Sequence, residues 1–411
     1  YWDAGLFPVN GWEGWFTRHR TRAGVTWNPS PEFRVRAAFA NEFFSWYRHR
    51  DKPDFTLDEI FFDNLYVQWR PEDLPLEVTL GRQNMPLGEG FVVMDGSPLD
   101  RSRSIYFHAL RADIHPAEDH RITLFAMHQP AQDDLLPRIN DSDRRLFDTD
   151  KDGIGAYYTG LVASSSLSTY YIYAQQELPV RYQWLDQQPR VPIMTDNHLH
   201  TMGVRGAADI LPGLRLTAEG ALQRGPDSRS SSGREQATLP RKAWAWYGYL
   251  TWTPGTERPD MPIVRAGWYQ YSGGVQYQDG RDRDWDPLFA RWPKWSESFI
   301  YSLSQLRDGI AYTSNITAPW VEVRWQPVAR VSLRTMLQRL GDHAGRTELL
   351  TPSAIGTLLI AEVKFQAMDR LSGHFLFERM WYDDGHPIIE ADDYVWMRAE
   401  LQYRWSDILV Q

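Results

Sequence analysis

Runs in which every second residue is apolar recur along the whole chain. In "FTRHRTRAGVTW" (16–27), Arg18, Arg20, Arg22 and Thr26 alternate with His19, Thr21, Ala23, Val25 and Trp27. A period of two lines one face of a β-strand. On a helix the same residues fan out, because helical neighbours are three and four apart. "EFRVRAAFANEFF" repeats the pattern, with Arg34, Arg36 and Glu42 against Val35, Ala37, Phe39 and Phe43. So do "GLRLTAEGALQRG", "PWVEVRWQP" and "DYVWMRAELQYRW". Each run is about ten residues long, the length a tilted strand needs to cross a bilayer. The pattern predicts strands over 16–27, 33–46, 58–70, 76–83, 104–114, 121–129, 154–163, 168–177, 198–210, 214–224, 242–252, 263–270, 318–326, 331–340, 355–367, 373–382 and 393–405.

The connections alternate between short and long. Short ones are rich in turn formers, as in "NPSP" (28–31), "PEDLP" (71–75), "LPG" (211–213), "PVAR" (327–330) and "MDRL" (368–371). Long polar ones span 84–103, 128–152, 178–197, 225–241 and about 271–317, the longest. Outer-membrane barrels have this rhythm, with short periplasmic turns and long external loops. The expected fold is an all-β transmembrane antiparallel barrel, one domain over residues 1–411. Bacterial single-chain barrels have even strand numbers. The seventeen visible strands, and residues 1–15 read as an external loop, therefore predict about 18 strands with the first one missing from this sequence.

Composition supports that class. Mean hydropathy is −0.51, and no apolar run is long enough for a membrane-spanning helix. Aromatics reach 14 %, with 19 Trp and 20 Tyr, as the interfacial girdles of a membrane barrel require. The absence of cysteine excludes disulfides, thiolate metal sites and cysteine nucleophiles. The expected location is the outer membrane of a Gram-negative bacterium, in contact with its lipid and lipopolysaccharide. Nothing in the pattern points to nucleic acid.

Three stretches carry a family resemblance: "FTRHRTRAGV", "LEVTLGRQNMPLGEGFVV" and "DRDWDPLFARWPKWSESFIYS". "RSRSIYFHALRADI" is a looser match. In that order they resemble the bacterial alginate export protein family, whose members are 18-stranded outer-membrane barrels. The resemblance implies a passive conduit for an anionic polysaccharide, an alginate-like polyuronate.

The alternation also sorts charge. If apolar residues face lipid, their alternates face the pore. The expected basic lumen residues are Arg18, Arg20, Arg22, Arg34, Arg36, Arg82, Arg111, Arg215, Arg265, Arg324, Arg334, Lys364 and Arg398. Against them stand Glu42, Glu77, Asp113, Glu219, Glu322, Glu362 and Glu400. The interior is thus expected to be basic although the chain carries a net charge of −9. Rings of Arg or Lys are how anion pores select, and Arg suits carboxylates bidentately. The expected substrate contacts are Arg18, Arg20, Arg22, Arg34, Arg36, Arg82, Arg111, Arg265, Arg324 and Arg398. The plainer reading is that Arg and Glu pair across strands and fill the lumen.

"DTDKDG" places Asp148, Asp150 and Asp152 like the opening of a calcium loop. Thr159 stands where such a loop carries its bidentate Glu, so a solvated acidic turn is the competing reading. No cofactor besides calcium is expected. "KAWAWYGYLTW" and "RAGWYQY" read first as interface girdles and second as sugar platforms. His19, His108, His198 and His200 have no convincing metal partners and read as structural. Three further functions compete with the polysaccharide conduit: an anion-selective diffusion porin, a sleeve housing a periplasmic or lumenal protein partner such as an electron carrier, and an enzyme. The last is disfavoured because no Ser/His/Asp cluster is evident.

Overall fold

The computed structural model describes residues 2–7, 12–46, 59–94, 106–140, 150–162, 165–177, 196–227, 239–254, 261–273, 281, 283–290, 295–296, 314–344, 354–383 and 394–406. The chain forms eighteen strands, all neighbours antiparallel. They are β1 (Trp2–Phe7), β2 (Trp12–Trp27), β3 (Phe33–Trp46), β4 (Ile60–Trp69), β5 (Leu76–Gln83), β6 (Phe107–Ala117), β7 (His120–Gln129), β8 (Lys151–Val162), β9 (Ser165–Glu177), β10 (Asp196–Leu211), β11 (Leu214–Asp227), β12 (Leu239–Trp252), β13 (Ile263–Tyr271), β14 (Ile316–Val328), β15 (Val331–Asp342), β16 (Ala354–Met368), β17 (Leu371–Tyr382) and β18 (Tyr394–Tyr403). Each strand pairs with its neighbours in sequence, and β1 also pairs with β18, so the sheet closes on itself. Closure leaves no free edge, the condition for a sheet to cross a bilayer.

The eighteenth strand is not missing, as the sequence reading held. It is β1, drawn from residues assigned there to an external loop. Asp3 through Phe7 pair with β2, and Trp2 through Leu6 pair with β18. With β1 in place, the motive for a sleeve that borrows a strand from a partner disappears.

The apolar alternates face outward. Val25, Val67, Leu80, Leu110, Leu124, Ile154, Met202, Leu222, Val321, Phe375 and Leu401 are all exposed. That is the opposite of a water-soluble sandwich and the expected outer face of a membrane barrel. The aromatic stretches divide by the same rule. Tyr247, Tyr269 and Tyr271 are buried inside, while Trp268 on the other face is exposed. One bulge re-aims the lumen. The β3–β4 register shifts between Ala38 and Phe39, where Asp63 is the extra residue. Phe61 and Asp63 both become buried as a result.

The interior of the external half is filled by two loops. Residues 84–94, after β5, fold inward and bury Met85, Leu87, Phe91, Val92 and Val93. The β13–β14 connection also folds inward, burying Trp285, Leu288, Phe289 and Trp295. The two meet in a parallel bridge between Val93 and Phe289, where the Phe289 amide donates to the Val92 carbonyl at 3.0 Å. The first loop turns at Gly88 (φ 59°) and Gly90 (φ 76°), left-handed conformations that glycine adopts without steric cost.

Candidate functional site

The inward β13–β14 loop is bonded to strands on several sides of the lumen. The Lys151 ammonium on β8 reaches the Asp286 carboxylate at 3.3 Å and the Leu288 carbonyl at 2.9 Å. Gln223 on β11 donates to the Asp286 carbonyl at 2.6 Å and accepts from its amide at 3.0 Å. Gln338 on β15 donates to the Trp295 carbonyl at 2.8 Å. Ser296 donates to Glu378 on β17 at 2.6 Å. Trp295 lies flat on Tyr269, with ring centroids 4.9 Å apart. All four wall side chains, Lys151, Gln223, Gln338 and Glu378, are buried. This density of satisfied polar contacts fixes the loop against the wall and narrows the lumen there.

At the tip of the first loop, Glu89 accepts from Arg205 at 2.7 Å and from the Tyr249 hydroxyl at 2.9 Å. Beside it, Glu219 accepts from Tyr247 at 2.7 Å and Tyr170 at 3.1 Å. Tyr170 stacks on Tyr157. The loops therefore rest on a layer of tyrosine hydroxyls, two carboxylates and one guanidinium.

The periplasmic half is open and basic. A cavity of about 1110 Å³ is bounded by β14 to β18 and β2. Arg20, Arg22, Arg330, Lys364, Arg370 and Arg404 line it, against Asp369 and Glu400, so among the described lining residues six cationic side chains face two acidic ones. Some of these charges are offset locally: Arg22 lies 3.4 Å from Asp63, Arg330 3.1 Å from Asp369, and Lys364 3.2 Å from Glu362. Arg330 and Arg370 come from the tight turns "PVAR" and "MDRL". The sequence reading treated those turns only as punctuation. The arginine that ends the first and closes in on the second was the available signal.

The expected lumen arginines fall into several settings. Arg20 and Arg22 line the cavity. Arg18, next above them on the same face of β2, is buried. Arg34 donates to Asn28 and Gln68, and Arg36 to Thr26 at 2.8 Å, beside the first short turn. Arg111 pairs with Asp113 at 2.7 Å. Arg265, Arg324 and Arg334 converge on the buried Glu322 at 3.6, 2.6 and 2.5 Å. Arg215 pairs with Asp209 at 3.0 Å. Arg398 donates to His374 at 2.9 Å. The lumen thus combines cross-strand networks with an open basic mouth.

Arg82 is a correction. It shares its strand face with Leu80, which is 61 % exposed on the lipid side, and its ladder partner is His108, two residues from the exposed Leu110. Arg82 is not in the lumen. It is wholly buried under the β7–β8 loop, forming a two-point pair with Asp133 at 2.5 and 3.0 Å. It also donates to the Phe62 carbonyl and lies over the Tyr106 ring. An arginine on the outer face is tolerated there because the loop supplies the carboxylate.

Of the candidate calcium ligands, Asp148 lies outside the described residues. Asp150 accepts from the Ala131 amide at 2.6 Å. Asp152 sits in β8 and bonds His128 at 2.8 Å. Among the described residues, no three His, Asp or Glu side chains come together as a metal cage. His198 and His200, read as structural, bond the hydroxyls of Tyr173 and Tyr171 at 2.8 and 2.7 Å.

Several solved bacterial proteins share this architecture. OccAB1 of Acinetobacter baumannii superposes with a TM-score of 0.60 at 11% identity, covering 98% of this chain and 93% of that one. OccK2 (OpdF) of Pseudomonas aeruginosa, solved in complex with glucuronate, gives 0.59 at 11% identity over 98% and 95%. OccK9 (OpdG) of Pseudomonas aeruginosa gives 0.58 at 11% identity over 98% and 95%. No curated protein sequence is detectably similar to the chain. The family model described as alginate export matches residues 18–351, most of the chain, so this protein belongs to that family and is a channel of the Gram-negative outer membrane rather than an enzyme.

Proposed function

We propose that the barrel conducts an anionic polysaccharide of the alginate type, a polyuronate, and that the periplasmic basic cavity is where the chain first engages it. The observation that carries this reading is the excess of cationic over acidic side chains among the described residues that line that cavity, six against two, in a protein that is acidic overall. A cleft of one sign with low-dielectric walls focuses its field and raises the local concentration of the opposite charge. The screening length at physiological salt is about 8 Å, so the field of wall arginines extends over a passing chain. Guanidinium groups bind carboxylates in a planar two-point geometry, which suits a polymer with one carboxylate per sugar. Family membership supports the same substrate class. OccK2, which shares this fold, was solved in complex with glucuronate, a uronic acid.

Replacing Arg20, Arg22 and Lys364 together with Gln is the direct test. In planar bilayers, the reversal potential under a salt gradient should move towards cations, and block by uronate oligomers should weaken several-fold. Unchanged reversal potential and unchanged block would reduce these residues to lumen filler and remove the support for an anionic substrate.

A second reading, an anion-selective porin for short solutes, is favoured by one feature. The two loops pack the external half of the lumen with buried aromatic side chains, which suits single sugar acids better than a polymer. Block that is equally strong for a monomer and a long oligomer would favour the porin. Block that tightens with oligomer length would favour the polymer.

A further inference from the structure

The outer face carries a cationic row where a membrane barrel is expected to meet lipid headgroups. His200 on β10 pairs with Arg224 on β11, and Arg224 pairs with Lys242 on β12. The next row pairs Met202 with Leu222 and Leu222 with Trp244. Met202 and Leu222 are 58% and 55% exposed, so this lower row belongs to the lipid-facing band. The cationic row lies two residues further along each strand, about 6.6 Å by the rise of a β-strand. It lies away from the short β10–β11 turn at 212–213, hence on the external side.

Arg224 and Lys242 are both exposed. Two like charges placed directly opposite on adjacent strands repel. Among the described residues, neither forms an ion pair; Arg224 donates only to the Gln223 carbonyl. A pair of this kind is stable when an anion is shared between them. Free phosphate would satisfy the charge but not the apolar row beneath it. A lipid with a phosphorylated headgroup satisfies both, its acyl chains lying over Met202, Leu222 and Trp244 and its phosphate between the two cations. The neighbouring histidine rings are held by tyrosine hydroxyls, which gives the site a fixed polar wall.

We infer that Arg224 and Lys242 form a binding site on the outer wall for a phosphorylated glycolipid of the external leaflet. The site is independent of what passes through the lumen. It depends only on the barrel fold and its orientation.

The test uses the full-length barrel reconstituted in phosphatidylcholine vesicles containing bis-phosphorylated lipid A, then extracted in mild detergent and weighed by native mass spectrometry. The wild-type protein should retain lipid A and should not retain its dephosphorylated form. The variant Arg224→Gln/Lys242→Gln should show about 30-fold weaker retention, the factor expected for the loss of two membrane-surface cations. Arg339→Gln serves as the control, because Arg339 is an exposed guanidinium already neutralised by Asp383 at 2.5 Å; it should retain lipid A as wild type does. Equal retention by the double variant, or equal retention of the dephosphorylated lipid by wild type, overturns the site. Should the double variant fail to insert, Lys242→Gln alone and the wild-type lipid comparison still decide. Ion selectivity should be the same in the double variant and in wild type, which separates this outcome from any result on the lumen arginines.

Discussion

The Lys151 ammonium and the Asp286 carboxylate lie 3.3 Å apart, and both side chains are 1% exposed. They are 135 positions apart in sequence, so the pair ties a strand of the wall to a loop inside the lumen. Breaking a buried pair by removing one partner costs about 3–5 kcal/mol, because the other charge is left in a low dielectric. Lys151→Met should therefore release the inward loop without unfolding the barrel. Single-channel conductance should rise, and proteolysis between residues 283 and 296 should accelerate, while the melting temperature of the sheet moves little. Adding Asp286→Leu should restore much of the closed behaviour. A conductance identical to wild type would show that the loop is held by its other contacts.

Glu322 is the hub of a three-arginine cluster, with Arg324 at 2.6 Å and Arg334 at 2.5 Å. Its side chain is 3% exposed, whereas that of Arg324 is 45% exposed, so solvent already screens part of the attraction. Glu322→Gln removes one negative charge and leaves three guanidinium groups facing the pore. Anion preference should rise, and stability should fall by about 1–3 kcal/mol as charge-assisted bonds are lost. Measured together, the two changes have opposite meanings for function and for folding. Anion preference that stays flat while stability falls would make the cluster a purely structural network.

Much of the barrel was legible because its rule is simple: residues with a period of two and apolar alternates must show one face to lipid. Strands 33–46 and 76–83 match β3 and β5 end to end. Where ends differ, as at β10, the ladder continues past the lipid band into the loops, where hydropathy no longer reports on pairing. β1 escaped because six residues make too short a run to show a period. The interior was less legible. "FVVM" (91–94) is an apolar run inside a segment read as a polar external loop, and only folding inward buries it. Lys151 meets Asp286, and Glu89 meets Arg205, from distant positions, and no local pattern marks such meetings. Arg82 was misplaced for a different reason, against the local pattern rather than for want of one. Alternation alone puts it beside Leu80 on the outer face, and its compensating carboxylate is 51 residues away.

That placement of Arg82 separates it from the cavity arginines in a measurable way. Arg82→Gln should leave the reversal potential unchanged, because the side chain does not face the pore. It should instead cost about 3–5 kcal/mol, since Asp133 loses a fully buried guanidinium. The loss should appear as faster proteolysis of the β7–β8 loop and a lower unfolding temperature in detergent. A shifted reversal potential with unaltered stability would return Arg82 to the lumen.

The acidic stretch before β8 gives the last prediction. We propose that Asp148, Asp150 and Asp152 hold calcium outside the membrane, since hard oxygens at alternate positions followed by Gly153 match the opening of a calcium loop. Two competing bonds set the affinity. Asp150 accepts from the Ala131 amide, and Asp152 bonds His128 at 2.8 Å. A carboxylate that already accepts one hydrogen bond keeps lone pairs for a cation, but without a bidentate glutamate at Thr159 the site must be weak. Dissociation constants of about 10⁻⁴–10⁻³ M are typical of external modules. Terbium added to the purified barrel should show sensitised luminescence that calcium displaces in that range. Asp148→Asn/Asp150→Asn should abolish the signal, and His128→Gln should strengthen binding by freeing Asp152. A signal that is absent in wild type, or unaffected by the double substitution, would leave the segment a solvated acidic turn.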